Sequence, residues 1–346
     1  MNKILILTPD MNDPQATILY EEVLSKGGHP ILQPFNLKDI NFSIGKNQLM
    51  DESMENVRAV FIRGISTDLP LAHPPYTNEM EASLWRARYM KENYKINLVS
   101  SWLRALELRG VLIVNPLRTY LHHNTKTQFF QYLSMNNISV PKTFATNDLK
   151  YLRKTDEELV SKCAGGVGAT MLVPKKITDI SLKKSPPLFQ EQVTGDTVRV
   201  HTVGEKVILS LKIISKGIDS RSDTRGFEVI ELSQAQENEI IKANKLIGLH
   251  FSAWDVIAEQ NDKIYLLDCN PGPYIYWIGG YFTRLVKSEM AKYLVAFADS
   301  GSIEKAEDAT SKPNPIVTGI KKIPEEVHHY FDDSFENWKK DLGIRH

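Results

Sequence analysis

Apolar and polar positions change period several times along the chain, and each change predicts an element. "KILILTP" is a continuous apolar run of the kind that fills a strand buried on both faces. "ATILYEEVLSKGG" follows with helical spacing and stops at Gly27-Gly28, after which "HPILQPF" is extended again. "VRAVFIRGI" predicts another strand, "NEMEASLWRARYMKENYKINLVSSWLRALELRG" a mostly helical segment ending at Gly110, and "VLIVNP" the strand that closes the unit. Strands alternating with helices predict a parallel sheet with flanking helices over residues 1–115.

The pattern then changes. "NTKTQFFQYLSMNNISVPKTFAT" predicts a helix with Phe129, Tyr132 and Leu133 on one face, followed by an extended segment. "ELVSKCAGGVGATMLVP" reads as two short strands around a glycine-rich loop, and "LFQEQVTGDTVRVHTVGEKVILSLKII" as further strands. "SQAQENEIIKANKLIGL" is a helix opened by a capping box, Ser233 with Gln236. The expected divisions are a helix and small lobe over 116–193, a larger lobe over 194–300, and a polar, proline-punctuated appendage over 301–346. The fold class is α/β (α+β).

Within the larger lobe, "AWDVIAEQNDKIYLLDCNP" reads as a hairpin with carboxylates inside runs that otherwise look buried. A two-residue turn at Asn261-Asp262, of type I′, pairs the strands so that Asp255 lies opposite Asp268. Cross-strand Cβ atoms sit about 4.5–5.5 Å apart, so two like charges there repel. Asn270, two residues beyond Asp268, joins the same face as a third oxygen donor. A hard divalent cation would turn this repulsion into a binding site, and two carboxylates with an amide and a phosphate suit magnesium. A register slip of one, or one aspartate turned to solvent, is the alternative.

Other residues carry candidate chemistry. Lys162 precedes the loop holding Gly165, Gly166 and Gly168; glycines let backbone approach a phosphate, and an ammonium neutralises its charge. The spacing is not that of a P-loop, and an ordinary turn is the alternative. "QEQV" can present backbone at Glu191, Gln192 and Val193 to a base edge. Arg199, Lys212 and Arg225 are three cations within a short span, suited to charge building on transferred phosphoryl oxygens; a solvated basic face is the alternative.

Composition narrows the partners. Among 346 residues, Lys plus Arg and Asp plus Glu both total 42, so no overall field favours nucleic acid or an anionic membrane. No apolar run approaches the ~20 residues of a membrane span, and the N-terminus lacks the features of a signal peptide. Two cysteines, Cys163 and Cys269, make no disulfide framework, and a cytoplasmic location is expected. Strand alternation that turns Lys162 and Asp268 to one face turns both thiols away, so they are expected to be inert. His122-His123 and His328-His329 have no ligand spacing. In "PYIYWIGGYF", Ile275 and Trp277 are expected in the core, while Tyr274 and Tyr276 stay open.

Taken in order, Lys126, Lys162 with its glycine loop, "QEQV", Arg199, Asp255, Asp268 and Asn270 resemble the succession of an ATP-grasp domain. "TKTQFFQYLSMNNISVPKTFATND", "QEQVTGDTVRVHTVGEKV" and "LLDCNPGP" carry the likeness, over about residues 111–298. The chain is most similar to the branch of ribosomal-protein glutamate ligases and glutathione synthetases, and to the microviridin-type (graspetide) peptide macrocyclases. The resemblance implies a pre-ATP-grasp α/β domain followed by a two-lobed ATP-grasp domain. It also implies ATP with one or two Mg2+ ions, and a carboxylate activated as an acyl phosphate and coupled to an amine or hydroxyl. Lys126, Lys162 and Gly165–Gly168 would meet the phosphates, Glu191 and Val193 the adenine, and Asp255, Asp268 and Asn270 the metal. Arg199, with Lys212 and Arg225, would steady the acyl phosphate.

The chain departs from the family in having Asp268 for Glu, Cys163 for Pro and Thr197 for an acid. Only Arg63 remains of an arginine-rich strand. A phosphotransferase and a non-catalytic nucleotide-binding protein are the rivals, and a peptide substrate and a homodimer stay open.

Overall fold

Four of the apolar runs form a parallel sheet in the order β2-β1-β3-β4, with β1 at Lys3–Thr8, β2 at His29–Pro34, β3 at Val57–Ile62 and β4 at Leu112–Val114. The structure, a computed structural model, describes residues 1–34, 56–64, 79–154, 158–162, 170–173, 188–215, 224–315 and 319–322. Ile4, Leu5, Ile6 and Leu7 are completely buried, as a strand covered on both faces requires. Pro30 and Pro34 lie in β2, an edge strand, where a missing N–H costs no ladder bond. Helix α1 (Pro14–Ser25) starts on Asp13, whose side chain accepts from the Gln15 N–H at 2.8 Å. Asp13 also holds Arg63, its Oδ2 2.8 Å from Nε. The long α2 (Glu79–Leu108) buries Trp102, Leu103 and Leu106 near its C-terminal end.

This parallel sheet belongs to the first of two units, Met1–Leu117 with Met290–Ala309. The second takes in Arg118–Glu289 and Thr310–His346. It opens with α3 (Leu117–Asn124) and α4 (Lys126–Met135). A four-stranded antiparallel sheet follows in the order β5-β8-β6-β7, from β5 (Thr143–Ala145), β6 (Leu159–Lys162), β7 (Met171–Leu172) and β8 (Leu188–Glu191). The short α5 (Leu149–Leu152) contributes Leu152 to its core with Leu159 and Phe189.

A five-stranded antiparallel sheet, ordered β11-β10-β9-β12-β13, carries most of the candidate residues. Its strands are β9 (Asp196–Val203), β10 (Lys206–Ser215), β11 (Thr224–Ile230), β12 (Phe251–Ala258) and β13 (Ile264–Asn270). Helix α6 (Gln234–Ile247) has the expected capping box at Ser233 and Gln236, and ends where Gly248 takes φ +82, a conformation costly for a residue with a Cβ. Ile240, Ala243 and Ile247 of α6, with Phe129 and Leu133 of α4, pack against Val198, Val200, Trp254, Val256 and Leu266.

That apolar face also contains a closed polar network. Asn244 donates to Thr202 Oγ1 at 2.8 Å and accepts from Trp254 Nε1 at 2.8 Å and Ser252 Oγ at 3.1 Å. Beyond α7 (Gly280–Ser300) and α8 (Ile303–Ala309), the appendage returns to the five-stranded sheet. Lys321 and Phe227 exchange backbone hydrogen bonds of 2.8 and 2.9 Å at the outer edge of β11. A Cβ at Gly226 would lie 2.3 Å from the Lys321 carbonyl oxygen, so only glycine permits this approach.

No helix among the described residues is long and apolar enough to cross a membrane.

Candidate functional site

Strand register brings the candidate residues together. Arg199 on β9 lies beside Asp255 on β12, which lies beside Asp268 on β13, so the three form one cross-strand row on one face. The next row on that face is His201, Ala253 and Asn270.

Asp255 faces Asp268 as expected, but by a different route. Next to the turn, Ala258 pairs with Ile264, Ile257 with Tyr265 and Val256 with Leu266, so the turn has three residues, Gln260-Asn261-Asp262. Asp262 takes φ +66, the left-handed position that such a loop needs, and the type I′ expectation is corrected. The register then shifts at Leu267, where a bulge adds one residue, and pairs Asp255 with Asp268. Without the bulge, Asp268 would continue the parity of Ile264 and Leu266 into the apolar core. The sequence holds the signal, since Ile264 and Leu266 set one phase and the buried Cys269 the other.

Each aspartate is held by a cation. Arg199 Nη1 donates to both oxygens of Asp255, at 2.8 and 3.1 Å. Lys126 Nζ donates to Asp268 Oδ2 at 2.8 Å. Lys126 is the first residue of α4 and its side chain is only 9% exposed. A cation is disfavoured at that end of a helix, so the carboxylate offsets an unfavourable placement. Asp268 Oδ1 accepts the Cys269 N–H at 3.0 Å, and Asn270 Oδ1 accepts the Gly272 N–H at 3.0 Å. Among the described residues no group of three or more His, Cys, Asp or Glu could hold a metal. Two carboxylates and an amide oxygen instead fit a hard cation that completes its shell with phosphate oxygens and water.

One of the three predicted cations, Lys212, does not share the face of Arg199. Lys212 pairs with Val198, one residue out of phase with Arg199, so it occupies the other face, where its ammonium is 2.8 Å from Asp196 Oδ1. Arg225 is exposed on the edge strand β11, where the pairing with β10 is irregular. The expected convergence is therefore corrected for Lys212.

In the four-stranded sheet, Lys162 ends β6 opposite Leu188 and is half-buried. The N–H groups of Glu191 and Gln192 donate to the carbonyls of Lys142 and Glu158, at 3.0 and 2.8 Å, and Val193 follows the end of β8. Gly165, Gly166, Gly168 and Cys163 lie outside the described residues. Ile275 and Trp277 are buried, while Tyr274 and Tyr276 are 38% and 37% exposed.

His201 was not among the expected site residues. It is completely buried in the row beside Arg199, and among the described residues neither ring nitrogen has a hydrogen-bond partner. Burial, then the nearby Arg199 and Lys287, hold its pKa well below the ordinary imidazole value. Lys287 of α7 is also buried, its ammonium 4.7 Å from the centre of the Phe251 ring. The signal available in sequence was parity: His201 is two residues from Arg199 on a strand. Cys269 is buried on the opposite face from Asp268, and burial, then Asp268 and Asp255, push its thiol well above the usual range. It is a poor nucleophile, as expected.

No family model matches the chain. A "Probable alpha-L-glutamate ligase" of Pasteurella multocida is 25% identical over 191 residues, 49% of this chain and 60% of that protein. One from Vibrio vulnificus is 26% identical over 190 residues, 49% of this chain and 63% of that protein. The chain thus spans less than two-thirds of the length of these relatives. Among solved structures, the ATP-grasp ligase PsnB, complexed with a variant of its minimal precursor, Mg and ADP, superposes with a TM-score of 0.72 at 21% identity. That match covers 85% of this chain and 98% of PsnB. A RiPP-associated ATP-grasp ligase of Chryseobacterium gregarium, in complex with ADP and leader and core peptide, gives a TM-score of 0.66 at 18% identity over 85% of this chain and 96% of that one. The chain has the fold of the ATP-grasp ligases.

Proposed function

We propose that this chain is an ATP-dependent ligase that activates a carboxylate and couples it to an amine or hydroxyl, releasing ADP and phosphate. The observation that carries this reading is the row Arg199–Asp255–Asp268, with Lys126 on Asp268, set on an ATP-grasp fold. Asp255, Asp268 and Asn270 would hold magnesium, which when bound neutralises phosphate charge and polarises the phosphoryl group.

The chain's own residues supply positioning. Lys126, Lys162 and the 165–168 loop would hold the phosphates, and the carbonyl of Glu191 and N–H of Val193 would meet the base edge beside Gln192. Arg199 would take charge building on the non-bridging oxygens as the substrate carboxylate accepts the γ-phosphoryl group. The amine or hydroxyl then attacks the acyl carbon, the C–O bond to phosphate breaks, and the nucleophile loses its proton. Excluding water protects the acyl phosphate until then.

We infer further that the joined groups belong to a peptide. PsnB and the Chryseobacterium gregarium ligase are complexed with precursor or core peptides, and the match to each covers most of both chains.

The test is a screen of peptide and small-molecule carboxylate–amine pairs with ATP and Mg2+, reading ADP, phosphate and product mass. ADP and phosphate formed together with a product lighter by one water support ligation. Phosphorylated product without coupling favours a phosphotransferase, and nucleotide binding without ADP release across the screen favours a binding protein.

A further inference from the structure

Resting on the ligase reading, we propose that Lys126 and Arg199 stand in for the metal on the two aspartates, so that a divalent cation enters this site with the nucleotide and not before it. Every oxygen of the proposed donor set already accepts a hydrogen bond. Both oxygens of Asp255 are taken by Arg199, the two of Asp268 by Lys126 and the Cys269 N–H, and Asn270 Oδ1 by the Gly272 N–H. Two carboxylates against two cations are neutral. This is also what lets the aspartates lie face to face without repelling each other.

A dication alone would have to displace both cations or share their oxygens. Neither cation has an easy alternative. Lys126 is 9% exposed on its side chain, at the positive end of α4, and Arg199 is 18% exposed. A displaced ammonium or guanidinium would be left partly buried beside a dication, which is strongly unfavourable. A metal carrying a triphosphate removes the obstacle, because its oxygens offer new partners to both cations as the metal takes the carboxylates. A helix N-terminus already favours such an anion. The ion pairs are then exchanged as a set, and the metal depends on the nucleotide for entry.

The experiment measures Mn2+ binding by electron paramagnetic resonance, with and without AMPPNP, to the wild-type chain, Lys126→Gln and Lys126→Met. Wild type should bind Mn2+ weakly alone and at least about a hundredfold more tightly with AMPPNP. Removing the competing ammonium should tighten nucleotide-free Mn2+ binding about tenfold or more, about 1.4 kcal/mol, while weakening Mn2+–AMPPNP. Unchanged or weaker nucleotide-free binding in both variants, with wild type still taking Mn2+–AMPPNP, overturns the proposal and leaves the ligase reading standing. If wild type fails to bind Mn2+–AMPPNP at all, the ligase reading falls and takes the proposal with it. Should neither variant fold, thermal melts of wild type decide. Mn2+ alone should leave the melting temperature nearly unchanged and Mn2+–AMPPNP should raise it, whereas an equal rise with Mn2+ alone overturns the proposal.

Discussion

The β9–β12–β13 strands carry two kinds of polar residue on opposite faces, and the faces handle polarity differently. On the α6 side, Thr202, Ser252 and Trp254 converge on Asn244 and satisfy one another with neutral groups in a buried core. On the other, the row of Arg199, Asp255 and Asp268 is charged, held by ion pairs and partly open, the Asp255 side chain being 42% exposed and that of Asp268 29%, while His201 beside it is buried. Neutral groups that close on themselves stabilise the fold and leave no valence for a ligand. Charges held by exchangeable partners contribute less to stability but can change partners. The same strands therefore serve stability at one parity and, on the proposed function, chemistry at the other.

Four substitutions test that division. Asp268→Asn should have the largest effect, lowering ATP-dependent turnover by at least about a hundredfold; the chain still folds, because no core volume is emptied, although the buried Lys126 loses its carboxylate and some stability goes with it. Full activity in that variant would count against the metal role. Asn244→Ala should do the reverse. It leaves Thr202, Ser252 and Trp254 without their common partner, at a cost of about 2–4 kcal/mol in urea unfolding, while the folded protein keeps its nucleotide affinity.

His201→Leu tests, by pH, what a buried residue on the charged face contributes to stability. Folding holds the His201 pKa below its ordinary 6.5, so the unfolded chain binds the proton more readily. Stability from this group is then full above about pH 6.5 and is lost as pH falls below it. The charged groups facing it, Arg199 and Lys287, oppose protonation. Melting temperatures from pH 8 to pH 5 should fall less steeply in His201→Leu than in wild type; parallel curves would remove His201 from the acid response.

Lys212→Met should have the smallest effect. Its pair with Asp196 is 33% and 49% exposed, so stability should change by less than about 1 kcal/mol. Turnover should stay within about twofold, since Lys212 lies on the face away from Arg199. A collapse of activity would mean that the division of the two faces is wrong.

Much of this was legible in the chain because it depends on short-range pattern. The apolar run at Ile4–Leu7, the capping box at Ser233 and the pairing of Asp255 with Asp268 follow from periodicity and a nearby turn. The pairing came out right although the turn has three residues and not two, because the bulge at Leu267 adds back the residue that the longer turn takes up. Lys212 was misplaced for a related reason. Being near Arg199 on an adjacent strand says nothing about which face it shares until the register is known, and a shift between Val207 and Leu209 helps to set that register.

What the sequence by itself determined is the alternation: which residues within a strand share a face, where elements start and stop, and that acids interrupt an apolar hairpin. What only the tertiary structure decided is which faces meet. Lys126 reaches Asp268 across 142 positions of sequence, and Arg199 reaches Asp255 across 56. Those partners depend on strand order, bulges and helix packing summed over the whole second unit. No local propensity encodes that sum, because each small choice moves a side chain by a whole face or a whole strand.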